Sequence, residues 1–267
     1  MRLIPVQDLE HPELQIYRTL RDNLTTRDNS FIADSPKVVN MLLQSPVEVK
    51  SILATESYYS ANEALLEKRE TAALYVAEKS TLEGIIGHRI HHNVMMHGIR
   101  PPQQPLDALG KQIIMLDELS KTENVGAIAR SAAALGIHSL IAPDHGPHPY
   151  GRRALRVSMG HISKLDLHIY DDIVETLASL KERGYRIYAA EVTADATALS
   201  EITTAEKWVL LMGHEQKGIS PDILDLCDET VTIEMEPEIK SFNVAIAASI
   251  MMYQMKVAKS EIRSRRL

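Results

Sequence analysis

The chain has 267 residues, 45% hydrophobic and 24% charged, the composition of a globular protein with room for two ordinary domains and a sizeable core. A single cysteine, Cys227, excludes an internal disulfide and a cysteine-built zinc site, and the longest apolar run, around 244–252, is too short to span a bilayer. The net charge of −7, with a pI near 5.9, counts against nucleic-acid binding on average, so any phosphate contact requires a local basic cluster. The opening MRLIPVQDLEHPELQ lacks the apolar centre of a signal peptide, and the reading is a soluble protein of a reducing cytoplasm.

In chain order, a polar helix is expected at 12–23, followed by the short apolar run Phe31-Ile32-Ala33 and a helix at 36–43. A strand at 49–54, a helix at 61–68, a strand at 72–76 and a helix at 80–86 complete a small α/β module. Pro101-Pro102-Gln103-Gln104-Pro105 disfavours both helix and sheet and marks a linker over 101–110. Beyond it, strands are expected at 112–116, 139–142, 165–170, 186–191, 209–212 and 230–234. Helices are expected at 125–135, 172–183, 221–226 and 243–259. Apolar strands alternating with amphipathic helices predict a parallel sheet covered on both faces. Ligands of such sheets bind beyond the carboxyl ends of the strands, so the loops there are where chemistry is sought.

Three loops stand out. The first, Asp117–Asn124, leads into a helix of small apolar residues for which Asn124 reads as the N-cap and Gly136 as the C-terminal stop. Arg130 lies about 9 Å along that helix, at ~1.5 Å per residue, and its guanidinium needs a carboxylate, an edge or a ligand. The second, Gly213-His214-Glu215-Gln216-Lys217-Gly218, resembles a P-loop, but its lysine precedes the second glycine, which excludes nucleoside triphosphate binding in the usual manner. It is then either a plain turn or a polar loop presenting one carboxylate. The third, 235–243, offers Ser241 and Asn243 as caps for the apolar helix that follows, whose N-terminus either is simply capped or faces a ligand. No two glycines lie two residues apart, so a dinucleotide fingerprint is absent.

Local basic clusters exist. Arg152, Arg153 and Arg156 fall at helical spacing, and His88, Arg89, His91, His92, His97 and Arg100 form a second group. Lys256, Lys259, Arg263, Arg265 and Arg266 form a third. His88 and His91 have no carboxylate or cysteine partner in the pattern, and no metal site is expected.

Taken together, the order and spacing of N-V-G-A-I-A-R at 124–130, G-H-E-Q-K-G at 213–218 and I-E-M-E-P-E-I-K-S-F-N-V-A at 233–245 resemble the SpoU (TrmH-like) branch of the SPOUT methyltransferases. The likeness covers about 155 residues from near Lys111, and F-I-A-D-S-P-K-V-V-N-M-L-L at 31–43 resembles, more loosely, the start of that family's small substrate-binding domain. The chain departs from the family at Lys121-Thr122-Glu123 in place of an Asp-Pro-like turn. It departs also at Gln216 in place of glycine, at Glu234 after Ile233, and at Phe242 in place of leucine.

The resemblance implies an α/β fold with a C-terminal parallel-sheet methyltransferase domain, 111–267, carrying a deep trefoil knot, and a small N-terminal α/β RNA substrate-binding domain within 1–100. It implies S-adenosylmethionine as methyl donor, an RNA substrate, a homodimer whose active site draws on both subunits, and no metal or membrane. The reaction would be methylation of a ribose 2′-hydroxyl, in ribosomal RNA ahead of transfer RNA. The alternative is an RNA-binding module that keeps the fold with little or no turnover. By the same likeness Arg130 acts on the hydroxyl, either as base or by binding the adjacent phosphate and orienting it. Asn124, Glu215, Ser241 and Asn243 complete the catalytic set. Leu211, Met212, Gly213, Gly218, Ile233, Met235, Phe242, Asn243 and Val244 hold the donor, and Arg89, Arg100, Arg152, Arg153 and Arg156 meet RNA.

Overall fold

The computed structural model describes residues 2–19, 28–67, 72–87 and 89–258. The expectations at 20–23, Lys68, His88, Lys259, Arg263, Arg265 and Arg266 lie outside the described residues. Two compact units emerge. One joins 1–102 to the segment 150–163, and the other joins 103–149 to 164–267.

The first unit runs β1 (Leu3–Pro5), α1 (Gln15–Thr19), β2 (Ser30–Asp34), α2 (Pro36–Leu43), β3 (Glu48–Ala54), α3 (Glu56–Ala61), α4 (Glu63–Leu66), β4 (Ala73–Val76), α5 (Lys79–Ile86) and β5 (Val94–Ile99). Its sheet has the order β1-β4-β3-β5-β2. β1, β4 and β3 are parallel, whereas β5 pairs antiparallel with both β3 and β2. Leu14, Tyr17, Leu53, Leu82 and Ile85 pack one core of this unit. The helix expected at 61–68 begins earlier and is divided, α3 ending at Ala61 and α4 starting at Glu63. Asn62 sits at the break, its Nδ2 donating to Tyr58 O at 2.8 Å and its Oδ1 accepting from Asn40 Nδ2 at 2.7 Å.

Every residue of β2 is buried, including Asp34 at its end. The later helix Arg152–Val157 packs on β2 within the same unit. One turn of helix puts Arg152 and Arg156 on one face. Arg152 Nε donates to Asp34 Oδ2 at 2.8 Å, and Arg156 donates through Nη2 to Oδ2 at 2.6 Å and through Nε to Oδ1 at 3.1 Å. Burial pushes the Asp34 carboxyl upward, but the two guanidiniums outweigh it and hold it below the usual carboxylate range.

The second unit runs β6 (Gln112–Leu116), α6 (Thr122–Ala134), β7 (Ser139–Pro143), β8 (Asp166–Tyr170), α8 (Ile173–Glu182), β9 (Arg186–Ala190), β10 (Thr197–Ala198), β11 (Trp208–Met212), α9 (Pro221–Leu224), β12 (Glu229–Thr232) and α10 (Val244–Val257), the helix Arg152–Val157 being α7. Its seven strands are all parallel, in the order β10-β12-β9-β11-β6-β7-β8. Alternate residues serve opposite faces. Ile113, Met115, Val209 and Leu211 join Leu177 and Leu180 of α8 in one core, while Ile114, Trp208 and Leu210 are equally buried. A sheet buried on both faces is what the continuous apolar strands dictate.

α6 closes as expected at Gly136, whose φ of 70° is the left-handed value that glycine adopts without strain. The amides of Gly136 and Ile137 return to Ala133 O and Ala132 O at 3.2 and 2.9 Å, a Schellman closure. At its other end the helix starts at Thr122, ahead of the expected Val125. Asn124 is therefore not the cap; it lies inside the first turn with its side chain buried.

Candidate functional site

Three loops that follow the carboxyl ends of β6, β11 and β12 meet through one polar chain. Glu215, in the loop after β11, accepts at Oε2 from the amide and hydroxyl of Ser120, at 3.0 and 2.9 Å. At Oε1 it accepts from the amide of Lys121 at 3.0 Å and from Asn124 Nδ2 at 2.8 Å. The carboxylate thereby caps the N-terminus of α6 from a distant part of the chain, where an anion meets unpaired amides and the positive end of the helix dipole. Asn124 Oδ1 in turn accepts from Asn243 Nδ2 at 3.1 Å. Asn243 caps α10, its Oδ1 accepting from the amides of Ala245 and Ile246 at 3.0 and 3.3 Å. A carboxylate only accepts, so the Asn124 amide must face it with nitrogen and turn oxygen toward Asn243.

The four donors occupy all of the roughly four acceptor positions of the Glu215 carboxylate. Burial raises its pKa, but the donors from Ser120 and Asn124 prevail and hold it down to about 2. A saturated carboxylate ionised throughout the neutral range is no proton carrier. Its chemistry is to hold the three loops in register.

Beside this chain opens a cavity of about 300 Å³, at the small end of the range of ligand pockets. Met212 lines it from the end of β11, Gly213 and Gly218 from the loop that follows, and Ile233, Met235, Phe242 and Val244 from the segment after β12. The backbone approaches closely here. A Cβ on Gly213 would lie 2.5 Å from Ile219 Cγ1. Gly218 has φ of 69°, and a Cβ there would lie 2.1 Å from Glu191 Oε2. The loop folds back on itself as His214 and Gly218 exchange backbone hydrogen bonds, while His214 Nδ1 accepts from the amides of Gln216 and Lys217.

Of the residues expected to hold a donor, Leu211 stands apart. It is fully buried in the core beneath α8, because its side chain takes the strand face opposite to that of its neighbour Met212. Asn243 is also absent from the wall and acts through its hydrogen bonds. Among the expected catalytic residues, Glu215 and Ser241 line the cavity. Ser241 is exposed and makes no cap, that role falling to Asn243. Arg130 is exposed on α6, is not part of the cavity wall, and makes no hydrogen bond or ion pair with the described residues. The carboxylate partner that its apolar surroundings suggested is therefore not found among them.

The five arginines expected to meet RNA belong to the first unit. Arg152 and Arg156 are both engaged with Asp34, whose single negative charge balances one of their two positive charges. Arg153 and Arg89 are exposed, and Arg100 is half-buried after β5, a strand that the sequence pattern did not reveal. Sequence reasoning also missed Glu191, Lys240 and Met251 in the cavity wall. A signal for Glu191 existed, since a carboxylate at the carboxyl end of a parallel strand stands where such sheets bind ligands.

No helix among the described residues is long and apolar enough to cross a membrane. The model of the SpoU rRNA Methylase family matches residues 111–253. A Mycobacterium tuberculosis protein named as an uncharacterized tRNA/rRNA methyltransferase is 28% identical, with 93% of this chain and 90% of that protein covered. The AdoMet-bound rRNA methyltransferase of Sinorhizobium meliloti has the same fold, with a TM-score of 0.81 at 22% identity over 95% of this chain and 97% of that one. So has the SpoU methyltransferase AviRb of Streptomyces viridochromogenes, with a TM-score of 0.78 at 21% identity over 93% and 96%. The matched span includes all three loops and the cavity they enclose, and with it the chain belongs to the SpoU rRNA methylase family.

Proposed function

We propose that this protein transfers a methyl group from S-adenosylmethionine to a ribose 2′-hydroxyl of RNA, with ribosomal RNA favoured over transfer RNA. The observation that carries the reading is the chain Ser120–Glu215–Asn124–Asn243, which ties the three family motifs together beside one cavity. The cavity fits the donor in kind. Its glycines allow close backbone approach, its apolar wall suits an adenine, and Asn243 fixes the start of α10 next to Phe242 and Val244. When bound, S-adenosylmethionine supplies a methyl group already activated on sulfonium, a chemistry that calls for no metal ion.

The protein's share is alignment. Glu215 and Asn124 hold the loops, and Ser241 shapes the mouth. Arg130, solvent-facing and unengaged by the described residues, binds the phosphate next to the target ribose and orients the hydroxyl. With a pKa above ~12 it is a poor base. Its place outside the cavity wall accords with an active site completed across a homodimer. α10 supports that assembly, because Ile246, Ile250, Tyr253 and Val257 form an exposed apolar stripe along it, 38% to 60% accessible. In the proposed arrangement 1–100 is the RNA-binding domain, 101–110 the linker and 111–267 the catalytic domain. The threaded C-terminus finds support in the strand order, where the late strand β12 lies between β9 and β10, which are neighbours in the chain.

Arg130→Ala tests the assignment. Methylation of RNA is expected to fall at least about a thousandfold, as for loss of a group that acts in the transition state, while donor affinity stays within about twofold. Unchanged turnover would remove Arg130 from the mechanism. Donor binding by the unaltered protein, without methylation of any RNA, would instead favour the RNA-binding module, a reading motivated by the altered motifs.

A further inference from the structure

Two carboxylates line the cavity, Glu191 and Glu215, and they differ in what remains open on them. Glu215 has all its acceptor positions filled from within the protein. Glu191, one residue beyond the end of β9, has two filled. Its Oε1 accepts from the amide of Val192 at 2.9 Å and its Oε2 from the amide of Ile219 at 2.8 Å. Each oxygen keeps one further acceptor position.

No cation among the described residues pairs with Glu191. Its position is fixed as well. The two amides come from different loops, and Oε2 lies where a Cβ on Gly218 would stand. A held carboxylate in a cavity, with one open acceptor position on each oxygen and no cation paired to it among the described residues, matches a group that offers two adjacent O–H donors. A vicinal diol is such a group. The geometry is that of an acidic residue at the carboxyl end of a parallel strand meeting a ribose.

We infer that Glu191 is the acceptor for the 2′- and 3′-hydroxyls of the donor's own ribose, and so a specificity-determining residue for nucleoside ligands with an intact diol. The inference rests on the donor-site reading above. It gives a role to the one of the two wall carboxylates whose acceptor positions the protein leaves open. The same carboxylate disfavours a nucleoside carrying phosphate on either hydroxyl, by charge repulsion across a short gap.

The test is a ligand-against-variant cycle by calorimetry, using S-adenosylhomocysteine and its 2′-deoxy and 3′-deoxy forms with the unaltered protein and Glu191→Gln. The unaltered protein is expected to bind each deoxy form about 10- to 100-fold more weakly, as for loss of a hydrogen bond to a charged acceptor. In the variant the parent ligand weakens, and the penalty for at least one deoxy form shrinks to less than about threefold. Because each penalty is a ratio within one protein, a general loosening of the loops cancels. If Glu191→Gln binds too weakly to titrate, Glu191→Asp carries the same cycle. Equal deoxy penalties in protein and variant, or no penalty in the unaltered protein, would overturn the assignment of Glu191 alone. Failure of the unaltered protein to bind S-adenosylhomocysteine at all would overturn the donor-site reading and this inference with it.

Discussion

Asp34 in the first unit and Glu215 in the second are both carboxylates held below their ordinary pKa, by opposite means. Asp34 is paired with two charged guanidiniums, whereas Glu215 is surrounded by neutral amides and a hydroxyl. The first arrangement sets one negative charge against two positive ones and anchors Arg152 and Arg156 within the first unit. The second keeps a full negative charge at a helix N-terminus and uses it to position three loops. A carboxylate that stabilises a unit and one that organises a site are thus told apart by their donors, not by burial or pKa.

Substitutions can break that comparison. Asp34→Asn removes the charge that two arginines answer, one of them four-fifths buried. It is expected to destabilise the first unit by about 2–4 kcal/mol in urea unfolding, toward the low end for a broken buried pair because Arg156 is half exposed. A loss below about 1 kcal/mol would make the pair an ordinary surface contact. Glu215→Gln leaves no stranded charge but sets an NH2 group against two donors. The expected loss is about 1–3 kcal/mol in the second unit, with donor affinity falling more than for Asp34→Asn. Asn243→Ala removes a helix cap and a partner of Asn124, at a cost of about 1 kcal/mol, and weakens donor binding. An unchanged dissociation constant there would detach the third loop from the site.

The smallest effect is the pH response. Glu215, with a folded pKa of about 2 against ~4.3 when unfolded, contributes stability above pH ~4.3 that fades as the pH falls toward 2. Thermal melts across that window should slope less steeply in Glu215→Gln. Asp34, also lowered, acts with the same sign, so the single variant flattens the slope without abolishing it.

What the sequence revealed followed the reach of each interaction. α2 at 36–43 and β6 at 112–116 were legible to the residue, because Pro36 opens one helix and an unbroken apolar run makes the other strand. The close of α6 at Gly136 was equally local. Asn124 was misread as a cap because the helix starts earlier, where Glu215, about ninety residues away, accepts the amides of Ser120 and Lys121. The pairing of Arg152 and Arg156 was invisible because their partner Asp34 stands 118 and 122 residues earlier. β5 went unseen because Gly98 and a part-buried His97 interrupt its apolar pattern. The strand pairs with β3 and β2, both distant in the chain, and His97 Nε2 finds Ser30 Oγ across the sheet at 2.9 Å. The family motifs succeeded where local rules failed, since their order and spacing already encode the meeting of distant loops.

The central claim is methyl transfer to a ribose oxygen, and the most direct measurement follows the label. Ribosomal and transfer RNA are incubated with the purified protein and S-adenosylmethionine carrying a labelled methyl group, then digested to nucleosides. The account predicts label in a 2′-O-methylnucleoside, chiefly from ribosomal RNA, and its loss with Arg130→Ala. Label on a base atom, or no transfer to either RNA although the donor binds, would contradict it.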